Sequence, residues 1–208
     1  MSNHQVKTKV KYEHKNISNS TETKFLGLII DETLSWNQHI DQIATKLCSA
    51  CNALRNLKHT VPQSTLRTIY YTYIHSILSY GIIFWGGSSN VEKLFILQKK
   101  MGRIISNTAV RESCREAFTN VEIMTFSQYI FSLILFIVKN KHLFTSNKEI
   151  HKYITRNNNN LHLPTVNITK FYKGPYILGS KAFNHLPWHI KILVNDMKYF
   201  KYNEAKDM

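Results

Sequence analysis

Up to residue 34 the apolar positions are sparse and follow no helical period; from Trp36 onward they recur at three- and four-residue intervals. That change of period predicts strands first and helices afterwards. Val6, Val10 and Tyr12 suit an irregular strand, with turns expected near Asn16 and residues 18–20. Phe25 to Ile30 is a short, β-favouring apolar run bounded by polar residues, which predicts a buried strand. Within it Gly27 has no Cβ and relieves crowding in a sheet. Beyond Trp36, Ile40, Ile43, Leu47, Cys51, Leu54 and Leu57 mark one face of a helix. Val61-Pro62 breaks the pattern, and Pro62 suits the opening of a second helix. Its stripe runs through Leu66, Ile69, Tyr70, Tyr73, Ile74 and Ile77 to a kink or end at Gly81.

Gly86-Gly87-Ser88-Ser89 reads as a turn. A third helix is expected over 91–106, with Leu94, Leu97, Met101, Ile104 and Ile105 on one side. Shorter helices are expected over 112–118, 126–141, 148–153 and 178–186, and the polar run Asn157 to Asn160 should loop outward. The pattern therefore predicts a mainly α chain, α+β overall. A short N-terminal β-ribbon spans 1–34, a helical bundle 35–156, and a loop-rich extension with short helices 157–208.

Composition changes this picture in one respect. The 208 residues are 43% hydrophobic, ordinary for a globular protein, but 27 Lys and Arg oppose 13 Asp and Glu, for a net charge of +14. Such an excess points to an anionic partner, and phosphate backbones are the usual one. No membrane partner is expected: the basic residues form no dense block, and the most apolar run, residues 129–138, is far shorter than the ~20 residues a bilayer requires. The polar N-terminus lacks the apolar core of a secretory signal, and three cysteines are an odd number. Together they predict an intracellular protein, nuclear or cytoplasmic, in which the sequons at Asn16, Asn19 and Asn167 are coincidental.

Candidate chemistry is sparse. Cys48-x-x-Cys51 places two sulfurs near one helical face, but no second pair succeeds it. Cys114 and scattered histidines would have to complete a zinc site, so packing in the core is the favoured reading. His185-x-x-x-His189 has metal-like spacing interrupted by Pro187. No phosphate-cradling loop, dinucleotide fingerprint or nucleophile elbow is present. The four aspartates, Asp31, Asp41, Asp196 and Asp207, form no Asp-Asp pair, and Asp31 is expected to end the strand or cap the helix. There remains a phosphate-binding face. Lys46, Arg55 and Lys58 punctuate the first helix, Lys99, Lys100 and Arg103 cluster on the third, and Arg111 and Arg115 lie just beyond. Cations along helices can track a nucleic-acid backbone, although about half such residues simply solvate an amphipathic helix. Of these, Lys46, Arg55, Lys99, Lys100 and Arg103 are the candidate contacts. Tyr70, Tyr73, Tyr80 and Trp85, at helical spacing, are expected in the core instead of stacking on bases.

The order KFLGLIID, LSWNQHI, SYGIIFWG, LQKKMGRII, RESCREAF, HKYITR and GSKAFNHLP resembles the distal part of reverse transcriptases from non-LTR retrotransposons, the jockey-like group in particular. The resemblance covers residues 24–193. It implies that Phe25, Leu26 and Gly27 are a primer-grip motif on a β-hairpin at the base of the palm. It also implies that the helices beyond form the thumb, and that the partner is an RNA–DNA template–primer duplex. Polymerisation needs carboxylates that hold two metal ions, and the tyrosine-x-Asp-Asp signature is absent. The implied Mg²⁺ thus belongs to the palm of an intact polymerase, and this chain alone is expected to be inactive. The segments around His151 and Asn184 match family motifs whose role the residues do not disclose. A domesticated, non-enzymatic nucleic-acid-binding or protein-interaction domain is the alternative reading, and a small zinc protein the third.

Overall fold

The computed structural model describes residues 10–109, 112–121, 127–151, 156–165, 167, 169–172, 174–187 and 190–191. Val6, expected in the first strand, lies outside them. Two separate antiparallel hairpins precede the helices, giving a mainly α, α+β architecture. Strands β1 (Val10–Tyr12) and β2 (Lys15–Ile17) pair Val10 with Ile17 and Tyr12 with Lys15. The reversal therefore falls at Glu13-His14, and Asn16 lies within a strand instead of at a turn. Both strands are exposed throughout. Among the described residues nothing apolar covers this ribbon, and an isolated two-stranded hairpin is marginal in water.

The expected single strand from Phe25 to Ile30 is instead a second hairpin. β3 (Glu22–Phe25) pairs with β4 (Leu28–Asp31), Phe25 opposite Leu28, which leaves Leu26 and Gly27 as a two-residue turn. Their φ values are 46° and 80°. Two consecutive left-handed residues form the turn whose twist matches that of the flanking strands. Gly27 is thus a turn residue and not a spacer within a sheet. Burial is also less than expected: β3 is exposed along its length, while β4 seats Leu28 in the core and rests Ile30 against it.

Asp31 closes β4 and organises the entry to the first helix. Its carboxylate accepts hydrogen bonds from the Thr33 hydroxyl and from the Ser35 and Trp36 N–H groups. Helix α1 (Asn37–Leu57) starts from there and buries Ile40, Ile43, Leu47, Cys51 and Leu54, as its three-and-four spacing requires. α2 (Gln63–Ile69) continues through a π-helical stretch, Tyr70–His75, into α3 (Ser76–Ser79). The buried positions are Leu66, Tyr70, Ile74 and Leu78, four apart. The wider i→i+5 turn keeps that spacing on one side and leaves Tyr73 outside. Gly81, at φ 63°, then reverses direction, and a Cβ there would lie 2.9 Å from Leu28. α4 (Ile82–Trp85) comes next, and after a 3₁₀ turn α5 (Glu92–Ser106) runs beside α1. Asn37 meets Asn90 and Asp41 meets Lys93, so the two helices are parallel. Across the core the Gln98 amide donates to the Tyr70 hydroxyl at 2.8 Å.

α6 (Cys114–Val121) packs on α5 through Phe118, which touches Gly102. A second apolar cluster joins α7 (Ser127–Lys139) to α10 (Pro175–His185) through Ile134, Ile137, Phe144, Leu161 and Phe183. It draws residues from both sides of position 157. Between them lie α8 (Asn147–Ile150) and α9 (Thr169–Tyr172). The asparagine run is a turn with Asn157 and Asn159 exposed, as expected, but it is tied back to the chain before it. Asn160 and Asn158 carbonyls accept from the Asn147 and Lys148 N–H groups, and Ser146 bridges to Leu161. Asn184 secures this fold-back: its amide accepts from Leu161 N–H at 2.8 Å and donates to Leu161 C=O at 2.9 Å.

Candidate nucleic-acid interface

The motif Phe25-Leu26-Gly27 occupies the exposed end of the second hairpin, with Phe25 61% and Leu26 71% exposed. Two large apolar side chains thus stand together in solvent at this tip. It is nonetheless fixed. The Tyr80 hydroxyl donates to the Leu26 carbonyl, holding in place a leucine whose left-handed backbone is disfavoured by roughly 1–2 kcal/mol. Gly27 sits over the Tyr80 ring, where a Cβ would be 3.6 Å from it. Behind the turn lies an open cavity of about 250 Å³ lined by Gly27, His39, Gln42, Lys46, Ser76 and Tyr80. Lys46 is exposed on the flank of α1 that faces this cavity. A cation thus stands beside a turn whose backbone is open to approach.

The other candidate cations do not join it. Arg55 is nine residues from Lys46, roughly half a turn out of phase on α1. Its guanidinium donates to Asn52, and it stands in the last turn, where it answers the negative pole of the helix. Lys99, Lys100 and Arg103 share the outer face of α5 opposite Leu94, Met101 and Ile105. Lys99 lies over the Phe95 ring at 4.2 Å. Arg103, also in a last turn, donates to the Glu112 carbonyl at 3.3 Å and tethers the entry to α6. Lys100 is exposed. The five cations therefore occupy both flanks of α1 and the far side of α5, not one continuous line. Lys58 lines a separate cavity with His59 near the end of α1, Arg115 is exposed, and Arg111 lies outside the described residues.

Two groups that sequence spacing passes over complete the tip. Helical spacing assigns Tyr80 to the core with Tyr70, Tyr73 and Trp85. Tyr70 and Trp85 are buried, but Tyr73 and Tyr80 are exposed. His39, within LSWNQHI, is only 4% exposed and lies between the Trp36 and Trp85 rings, at 6.3 and 6.1 Å. Its Nδ1 accepts from the Ile29 N–H at 3.4 Å. The one available signal is its position in phase with the buried stripe of α1. Burial, seconded by the charge of Lys46, holds the His39 pKa below the ordinary imidazole value. At Asp31 partial burial works against ionisation, but hydrogen bonds from Thr33, Ser35 and Trp36 prevail and hold the carboxyl well below its usual range.

Metal chemistry finds no support among the described residues. No three His, Cys, Asp or Glu side chains come together there. Cys51 is buried in the core while Cys48 is exposed, and His189 lies outside the described residues, as do Asp196 and Asp207. The carboxylate of Asp31 is committed to its own turn, so these residues do not fit a two-metal centre. A larger cavity, about 600 Å³ between Leu34, Trp36, Phe84 and Pro175, has no charged side chain in its wall among the described residues. Among the described residues no helix is long and apolar enough to cross a membrane. Comparison with protein-family models, curated proteins and solved structures finds no match to this chain.

Proposed function

We propose that this chain is the grip-and-thumb portion of an RNA-directed DNA polymerase of the non-LTR retrotransposon kind, holding a template–primer duplex without itself adding nucleotides. The observation that carries the reading is the hairpin tip. Phe25, Leu26 and Gly27 project from a basic helical body, are fixed by Tyr80, and lie beside Lys46. The exposed backbone of Gly27 at this turn gives a sugar–phosphate backbone a place to approach. A neighbouring ammonium then supplies an attraction that does not depend on base sequence. The carboxylates that hold the catalytic Mg²⁺ belong, on this reading, to a palm outside this chain.

Fluorescence anisotropy with an RNA–DNA hybrid across a salt series tests it. Affinity should fall steeply with ionic strength, and Lys46→Ala should lower the logarithmic salt slope by about one contact. Arg55→Ala and Arg103→Ala should leave the slope unchanged, because those cations serve helix ends. Absence of affinity at low salt, or affinity indifferent to salt, overturns the proposal.

A second reading is a domesticated nucleic-acid-binding or protein-interaction domain, against which the bare β1–β2 ribbon counts. That reading requires a stable, monodisperse protein on its own. A detached polymerase portion would instead associate through its uncovered edges, and light scattering separates the two.

A further inference from the structure

We propose that His39 is the positioning residue that latches the hairpin to helix α1, and that only its neutral form holds the tip in place for nucleic acid. The second half rests on the function proposed above; the first half does not. Among the described residues the hairpin strands and turn meet the helical body by polar contacts at three places: Tyr80 to Leu26, Ile29 to His39, and Asp31 to Trp36 at the entry to α1. The second fixes a tautomer. Because the Ile29 N–H donates to Nδ1, that nitrogen carries a lone pair and the proton of the neutral ring sits on Nε2. Nε2 is buried and has no partner among the described residues.

Protonation would place an N–H at Nδ1, facing the Ile29 N–H, and one hydrogen bond would become a clash of two donors. Among the described residues no neighbouring anion offsets the added charge. From α1 the charged neighbour is Lys46, which lines the same cavity. From α3 and its end come Ser76 and Tyr80, neither of them an anion. β4 carries only Asp31, whose carboxylate is engaged by Thr33, Ser35 and Trp36. α4 presents Trp85 and no titratable side chain. The depressed basicity of His39 agrees with this environment. The latch is accordingly complete above the ordinary imidazole pKa and is lost as pH falls through the lower value that His39 holds in the fold.

The test uses the full chain at about pH 7.5 and in steps down to about pH 4.5, because the fold holds His39 below the free imidazole value. Hydrogen exchange by NMR reads the Ile29 amide, corrected for intrinsic rate. Its protection should drop at least about fivefold in acid, the loss of one ordinary hydrogen bond. His39→Asn keeps an acceptor near the Nδ1 position but cannot titrate, so its protection should not respond to pH. An equal fall in His39→Asn, or no fall in the unsubstituted protein, overturns the latch. Nitrogen chemical shifts of the His39 ring decide the same point without substitution: a proton on Nδ1 at neutral pH overturns it. Affinity for the RNA–DNA hybrid should fall in acid, relative to His39→Asn, by a similar factor. If amide protection responds and affinity does not, the functional half is overturned. If no hybrid binds at any pH, the proposed function fails while amide exchange still decides the latch.

Discussion

Tyr80 and Gly81 show how much a single residue can carry. Tyr80 lies half outside the protein, yet its hydroxyl holds the Leu26 carbonyl and its ring lies under Gly27. Tyr80→Phe keeps the ring and removes the bond, so stability should fall by about 0.5–1.5 kcal/mol in urea unfolding. The hairpin amides should lose more protection than the helices. The two left-handed glycines should differ. At Gly27 a methyl group meets the Tyr80 ring at an ordinary 3.6 Å, so Gly27→Ala costs only backbone conformation, about 1 kcal/mol. At Gly81 the same strain is joined by a 2.9 Å approach to Leu28. Gly81→Ala should therefore cost more, by roughly another 1–3 kcal/mol of overpacking in thermal or chemical unfolding. Gly81 is legible in sequence as a break. Gly27 is not legible as a turn, because an apolar run through glycine reads equally well as a strand, and only pairing decides between them.

Among the elements, α1 and α5 are readable because their apolar spacing is that of an ordinary helix. The α2–α3 segment is readable as helix but not in phase. Its π-helical turn moves Tyr73 out of the stripe and leaves Leu66, Tyr70, Ile74 and Leu78 inside. That placement has a pH consequence. Burial, aided by Tyr71 and opposed by the bond from Gln98, pushes the Tyr70 hydroxyl up to about 12. Burial does the same at Tyr129. Both phenols are neutral in the fold and ionise more easily once unfolded. Stability should thus hold up to about pH 10 and decline from there to about 12, which denaturant midpoints across that range will measure. In the α7–α10 unit the asparagine run looks like a free loop, since polarity says nothing of which carbonyls it meets. Asn184 draws it in. Asn184→Ala leaves Leu161 N–H and C=O without their partners, at about 1–3 kcal/mol. Amides of 145–151 and 156–162 should lose protection before those of α1 and α5.

At the level of the whole molecule, the excess of positive charge is plain in the composition, but its distribution is not. Sequence places Lys46, Arg55, Lys99, Lys100 and Arg103 on helices. Only the packing of α1 against α5 decides which flank each one takes. Lys46 stands by the hairpin, Lys100 faces solvent, and Arg55 and Arg103 are occupied at helix ends. Binding should accordingly resist loss of either arginine more than loss of Lys46, a ranking that the anisotropy series reads directly.

The Tyr80 contact also imposes an order on synthesis. Its two ends are 54 residues apart, whereas Ile29 and His39 are separated by 10. At ~5–20 residues per second on the ribosome, the inner attachment can close almost at once, while the outer one waits several seconds for its tyrosine to emerge. Throughout that interval the nascent hairpin is held by attachments close in sequence, Asp31 to Ser35 and Trp36 and Ile29 to His39.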